Sequence, residues 1–458
     1  MENLIDFFQE ILSENLRDGD LAKLSSESGY YNDIQFSNSK LNEMKDLLNL
    51  NEITDIGQYN KIIKITDVIT MKIFYLINNQ ITSFEIFSGK IFPNLKLLNL
   101  HDNKITSFEG LSEEIFPKLE RCSLDNNKIT SFKGLSRKIF PNFEMLFLQN
   151  NQITSFEGLS GEIFPNLVLL DLNINQIYSF KGLNEETFHN LKILYLYNNK
   201  IYSLEGLSGE IFPILKELNL SNNQIYSFPG KTFPNLKLLN LGDNKIFSFE
   251  GLSGKIFPML EELNLYHNHI SSFGGLSGKT FPKLERLYLM GNQITSFEGL
   301  FRVFPNLKVL YLNDNNISSF KELSEEIFPN LEELYLNRNQ ITSFEELSRK
   351  IFPSLKKFYL NYNLISSFQG LSGKTFPKLE ELSLWNNQIT SFEGLSREIF
   401  HGLKEFYLNY NLISSFKGLS GETFPNLETL NLDRNKISSF QGLSEEIFPN
   451  FMKIIIIY

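Results

Sequence analysis

A unit of 24 residues, LKLLNLHDNKITSFEGLSEEIFPK from Leu95 to Lys118, returns with small edits to the end of the chain. Its skeleton is L-x-x-L-x-L-x-x-N-x-I-x-S-F-x-G-L-S-x-x-I-F-P-x. Self-similarity at a fixed period of this length marks a stack of like coils, each burying its apolar edge only against its neighbours. The repeat therefore predicts one long solenoid where 458 residues would otherwise suggest two or three globular domains.

The first convincing copy opens at Met71, with Phe74, Leu76, Asn79 and Ile81 in register. Further copies begin at Leu95, Leu119, Phe143 and so on to Leu427, and residues 71–458 form the repeat region, whose last copy, from Phe451, is truncated. This makes about sixteen full repeats, mostly 24 residues each; the spacing falls to 21 between Leu215 and Leu236 and to 23 between Leu284 and Leu307. Residues 47–70 read as a degenerate repeat, since Leu47, Leu50 and Ile53 fit only loosely. In residues 1–46, Leu4, Phe8, Ile11 and Leu12 follow helical spacing, which predicts a helical N-terminal cap over the open end of the stack or an adaptor segment.

Each position of the skeleton has a physical role. The L-x-L core alternates as a short strand, so Leu98 and Leu100 face inward while Leu97, Asn99 and His101 face outward, and stacked copies make a parallel sheet. An asparagine at the ninth position carries both a donor and an acceptor where the chain turns, and is predicted to form a buried ladder between coils. That ladder includes Asn103, Asn127, Asn151, Asn199, Asn223, Asn292, Asn339, Asn387 and Asn435. Two phenylalanines per coil, such as Phe108 and Phe116, fill the opposite wall, and GLSEEIF between them is too short for an independent helix. Gly110 recurs in most copies, but Glu322 and Glu346 take its place in two, so a left-handed backbone is not expected to be obligatory there.

The run L-x-x-L-x-L-x-x-N-x-I, seen as LKLLNLHDNKI and LEELYLNRNQI, resembles the leucine-rich repeat family. The resemblance covers roughly residues 71–458. It implies an α/β solenoid of horseshoe form, with a parallel β-sheet on the concave face and short helical or 3-10 turns on the convex face. The apolar tail at Phe108, Leu111 and Ile115 is similar to the intracellular subclass typified by a protein phosphatase regulatory subunit and a dynein light chain, with phenylalanine where that subclass has an aliphatic residue. Membership implies protein binding and brings no catalytic residues with it.

Composition excludes several other functions. A formal net charge of -10, from 43 basic and 53 acidic groups, gives no basic patch for nucleic acid. Glu2 and Asp6 stand where a secretory signal needs positive charge, and no stretch approaches a membrane span, so the chain reads as cytoplasmic. Cys122, the single cysteine, occupies an inward leucine position and reads as a small buried hydrophobe. The five histidines are scattered; His267 and His269 share a turn, but two ligands are too few for a structural metal. No catalytic constellation, cofactor or metal is expected.

Shared positions are what the fold requires, so function is sought where the copies differ. The outward strand positions vary most, and at the fifth position Tyr288, Tyr311, Tyr335, Tyr359 and Tyr407 form a row. Trp385, the single tryptophan, sits at the seventh position beside Tyr362 and Tyr410 at the eighth position of adjacent copies. Exposed Tyr and Trp dominate binding hot spots. Tyr335, Tyr359, Tyr362, Trp385, Tyr407 and Tyr410 are therefore the candidate binding residues, on a scaffold for a protein partner. A structural spacer that self-associates through the uncapped C-terminal end, where FMKIIIIY stops after its strand, is the alternative, as is a regulatory subunit of an enzyme such as a phosphatase or ligase.

Overall fold

The computed structural model describes residues 72–439 and the strand Lys453–Ile455, apart from short stretches at 136–138, 184–187, 229, 277–279, 301, 324–326, 349, 396–397 and 420–421. The expected helical cap at 1–46 and the degenerate repeat at 47–70 lie outside the described residues. Two compact units are present: Met1–Ile201 with Glu205–Leu218, and Asn219–Tyr458 with Tyr202–Leu204.

Within each unit the L-x-L segments form three-residue strands that pair in parallel, one per coil. In the first unit the strands run from Ile73–Tyr75 to Ile193–Tyr195, with Ile73 opposite Leu97 and Leu97 opposite Arg121. In the second they run from Leu238–Asn240 to Lys453–Ile455 in the same register. The shortened copies do not disturb this register, because the missing residues come from the tail. Arg286 still pairs with Val309 although the two are 23 residues apart, and Leu220 still donates to the carbonyl of Asn240.

The interior is filled by the repeated leucines and isoleucines and by two rows of phenylalanine. Phe320 stacks on Phe344 at 6.0 Å, and Phe368 and Phe392 continue the same row at 5.9 Å. Phe352 and Phe376, 5.5 Å apart, belong to the second row. On the side away from the strands the chain runs in turns, with 3-10 segments at Phe84–Phe87, Gly274–Leu276 and Glu345–Leu347. Gly110 has φ 86°, and a Cβ on it would come within 2.9 Å of the backbone of Phe84 and Glu85 in the coil before. The two glutamate replacements part ways. Glu322 keeps the left-handed backbone at φ 61°, whereas Glu346 leaves it by entering the 3-10 segment, so the left-handed backbone is not obligatory at this position.

The coils are tied by the ninth-position asparagines. Asn339 donates through Nδ2 to the carbonyls of Leu312 and Leu336, at 2.8 and 3.1 Å, and its Oδ1 accepts from the amide of Ile317 at 2.9 Å. One side chain thus serves its own coil and the one before it. Asn103, Asn127, Asn151, Asn199, Asn387 and Asn435 make the same set, and so do Asn175, Asn268, Asn363 and Asn411. Asn292 bridges Leu265, Leu289 and Ile270 in the same manner, and Asn223 donates to Leu220 and Ser221.

The residue before each ladder asparagine is left-handed. The φ values lie between 47° and 59° at Asn78, Asp102, Asn126, Asn150, Ile174, Asn198, Asn222, Asp243, His267, Asp314, Arg338, Tyr362, Asn386, Tyr410 and Arg434. Asn and Asp predominate because they tolerate this region best among residues with a Cβ.

Two expected outcomes follow. Asn339→Ala leaves the buried Ile317 amide unpaired and takes from the Leu312 and Leu336 carbonyls one of two donors each, Asn315 and Asn363 being the others, and should lower stability by about 1–3 kcal/mol in urea unfolding; an unchanged transition would contradict the ladder's role. Ile174→Asn replaces a β-branched residue at φ 54° and should raise stability by about 1 kcal/mol on the same measurement.

Candidate functional site

The strands of the second unit present two outward rows. At the fifth position Tyr288, Tyr311, Tyr335 and Tyr359 are face to face, with centroid separations of 4.8, 4.3 and 4.7 Å and interplanar angles of 7°, 15° and 8°. In-register parallel pairing imposes this spacing, since it places like residues one strand interval apart. The row is interrupted at Ser383, which pairs with Tyr359 on one side and Tyr407 on the other.

The hydroxyl ends of these rings are held by the third-position glutamates. Tyr335 donates to Glu333 Oε2 at 2.7 Å and Tyr407 to Glu405 Oε2 at 2.5 Å, while Tyr359 is hydrogen-bonded to Glu381. Burial, followed by these carboxylates, pushes the phenols of Tyr335 and Tyr359 far above their ordinary range. For Tyr407 the bond to Glu405 leads and burial follows, raising it to about 12. All three rings stay neutral donors at physiological pH.

The other three predicted residues form a separate cluster at the ends of the strands. Trp385 stands 4.8 Å from Tyr362 in an edge-on arrangement and 5.9 Å from Tyr410. The Arg338 guanidinium lies 5.0 Å from the centre of the Tyr362 ring, within cation–π range. Tyr362 and Tyr410 occupy the left-handed eighth position, at φ 57° and 55°, where most copies hold Asn or Asp. Trp385 Nε1 is shut off from solvent and has no hydrogen-bond partner. The six candidates thus divide into Tyr335, Tyr359 and Tyr407 along the strands and Tyr362, Trp385 and Tyr410 beyond them.

A second, outward asparagine ladder at the seventh position joins the two groups and was not anticipated from the sequence. Asn313 Oδ1 accepts from the Asn337 amide, Asn337 Oδ1 from Asn361, and Asn361 Oδ1 from Trp385 at 2.9 Å. The recurrence of Asn at 313, 337 and 361, in phase with the buried ladder, was the available signal. Flanking the tyrosines on the other side are ion pairs between adjacent strands, Lys357 with Glu333 at 3.2 Å and Arg286 with Glu262 at 3.8 Å. Such exposed pairs fix positions more than they stabilise.

The first unit offers a different surface. Its third-position residues Leu97, Met145, Leu169 and Ile193 are apolar and half-buried. Asp171 lies in register between Phe147 and Tyr195, and its burial, set against one backbone hydrogen bond and compounded by Asp125, raises its carboxyl to about 6. Cys122 is wholly buried, which pushes its thiol up and leaves it unreactive. His267 Nδ1, in the second unit, lies 3.0 Å from Asp243 Oδ1. Among the described residues no group of three or more His, Cys, Asp or Glu could hold a metal, and no helix is long and apolar enough to cross a membrane.

Comparison with known proteins adds the following. A family model described as Leucine Rich repeats (2 copies) matches residues 69–113, 258–302, 305–349 and 353–397, and one described as Leucine rich repeat matches 213–270 and 377–437. Together they span more than half of the chain. A search of curated protein sequences returns no significant match. Among solved structures, a leucine-rich repeat protein of Leptospira interrogans is similar at a TM-score of 0.60 and 24% identity, covering 85% of this chain and 96% of that one. YopM from Yersinia enterocolitica is similar at a TM-score of 0.57 and 21% identity, covering 84% and 77%. Toll, in the Drosophila Toll–Spatzle complex, is similar at 0.62 and 21% identity, covering 82% of this chain and 52% of that one. At these identities the likeness is one of fold.

The raised carboxyl of Asp171 yields a test of the surface electrostatics. With its folded value at about 6 against an ordinary 3.8, its contribution to stability is fully present below pH 3.8 and lost as the pH rises through 6. Asp171→Asn keeps the acceptor for the Asn173 amide, as Asn99 does for His101. The variant should exceed the native chain by about 1 kcal/mol near pH 7, after allowance for partial exposure, and the difference should vanish near pH 4 in thermal melts.

Proposed function

Since the chain belongs to the leucine-rich repeat family, we propose that it is a protein-binding scaffold whose recognition surface is the outward sheet face of the unit Asn219–Tyr458. The observation that carries this reading is the pairing of a four-ring tyrosine stack with the Tyr362–Trp385–Tyr410 cluster. Side chains of this kind supply large contact area with few torsions to freeze, and here the strands and the two asparagine ladders hold them before a partner arrives. Two costs within the cluster add support. Bulky residues sit in a left-handed backbone at 362 and 410, and Trp385 Nε1 is buried unpaired; neither helps the stack, and retained strain of this sort collects at working surfaces.

Rigid display is the mechanism, and no catalysis is assigned. Among the similar folds, Toll is found in complex with Spatzle, and we extend to this chain only the use of a repeat stack as a binding body. A place in the cytoplasm and kinship with the intracellular repeat subclass form part of the proposal. They are supported by the lone, buried Cys122 and by the apolar tail residues Phe108 and Leu111 packed inside the stack, the third tail residue, Ile115, being half-exposed.

The test is affinity capture with the native chain and with a variant carrying Tyr335→Ala, Tyr359→Ala and Trp385→Ala. A control variant carries Tyr178→Ala, Tyr202→Ala and Tyr226→Ala, which remove exposed rings from the edge beyond the ladder. A partner of the native chain should be retained by the control and weakened about tenfold or more by the first variant. Equal retention by both variants would refute the assigned surface.

A further inference from the structure

The tyrosine row of the second unit has a gap one residue wide. Tyr288, Tyr311, Tyr335 and Tyr359 fill successive strands, Ser383 follows, and Tyr407 resumes. The tyrosines on either side of the serine stand on strands two intervals apart, roughly 10 Å, the spacing at which one flat group stacks between two rings. Ser383 is 5% exposed, covered by the neighbouring side chains in the free protein, and turns its hydroxyl away, donating to Asn361 Oδ1 at 2.6 Å, so it does not compete for an occupant that enters between the rings.

Charge selects among flat groups. Glu381 and Glu405 are opposite one another on adjacent strands, both on the outward side that carries Ser383. Glu381 holds the hydroxyl of Tyr359, and Glu405 that of Tyr407, so the two carboxylates border the gap where its walls begin. Lys357, the nearest base in that row, is committed to Glu333 at 3.2 Å, and among the described residues neither Glu381 nor Glu405 forms an ion pair. Two like charges one strand apart are unfavourable in the free protein, and Lys357, in register with Glu381, answers them only in part because it pairs with Glu333. That cost is relieved by a cation.

We propose that the gap at Ser383 receives an arginine side chain of the protein partner, its guanidinium stacked between Tyr359 and Tyr407 and hydrogen-bonded to Glu381 and Glu405. This rests on the reading of the face as a protein-binding surface. Guanidinium is the one protein side chain that is both flat and permanently cationic, and its fork of donors suits paired carboxylates. An aromatic ring would fill the gap without answering the charge, and an ammonium would answer the charge without stacking. The chain already uses the same contact nearby, where Arg338 lies over Tyr362.

The experiment selects binders from a short random-peptide display library on the immobilised full chain, then titrates the strongest peptides calorimetrically as synthesised and with each arginine replaced by citrulline or lysine. Native protein is compared with Ser383→Tyr, which fills the gap with a ring found at the same position in Tyr359 and Tyr407, and with the double variant Glu381→Gln and Glu405→Gln. Tyr335→Ala and Trp385→Ala report whether a peptide uses the face at all. Expected are peptides with one required arginine, weakened about tenfold or more by citrulline and by either gap variant. The double glutamine variant carries the test if Ser383→Tyr does not fold. Peptides that need Tyr335 and Trp385 but are indifferent to citrulline and to the gap variants would overturn the arginine assignment and leave the surface standing. Peptides indifferent to Tyr335→Ala and Trp385→Ala would overturn the surface, and the arginine site with it.

Discussion

One amide side chain per coil carries the architecture. The asparagine that ends each strand donates to a carbonyl in its own coil and another in the coil before, and accepts from a backbone amide there as well. Each such carbonyl is shared by the asparagines of two successive coils, so without the ladder each coil would bury one carbonyl and one amide unpaired, a cost of about 1–3 kcal/mol per group. The leucines and phenylalanines supply cohesion, but grease does not fix position. The ladder does, and it sets the register that lines up the outward residues in rows.

From that register the surface follows directly. Once strands pair in parallel at 24-residue intervals, a tyrosine repeated at the fifth position must stack on its copies, and glutamates at the third position must fall beside its hydroxyl. The shortened copies leave this untouched because their deletions fall in the tail, away from the strands. A face built this way is ordered before it meets anything, so little entropy remains to be lost on binding. The same logic makes a single departure informative: Ser383 is conspicuous only because its neighbours are so regular.

Much of this was legible in the residues. Inward and outward positions, the buried asparagines, the tyrosine row and the neighbours of Trp385 all follow from the period and the two-residue alternation of a strand. What escaped was backbone conformation and side-chain pairing across coils. The left-handed eighth position was written in the recurrence of Asn and Asp from Asn78 to Asn386, yet Arg338, Tyr362 and Tyr410 obscure it, and the tail glycines are the more obvious sign of left-handed backbone. At that tail position Glu322 keeps the left-handed backbone and Glu346 does not, so the glycine that most copies hold there is not required. The outward ladder through Asn313, Asn337 and Asn361 was missed since exposed asparagines have many uses, and only coordinates show an amide oxygen facing the next coil's backbone.

Native-state hydrogen exchange, read residue by residue, tests the central claim that the ladder holds the binding face rigid. The amides of Ile317, Ile341, Ile365 and Ile389 each donate to a ladder asparagine Oδ1 and belong to no strand. They should exchange as slowly as the strand amides of Tyr335 and Tyr359, opening only when the stack itself opens. Exchange at the rate of exposed turn amides, while the strands stay protected, would show that the asparagines decorate the stack and do not hold it.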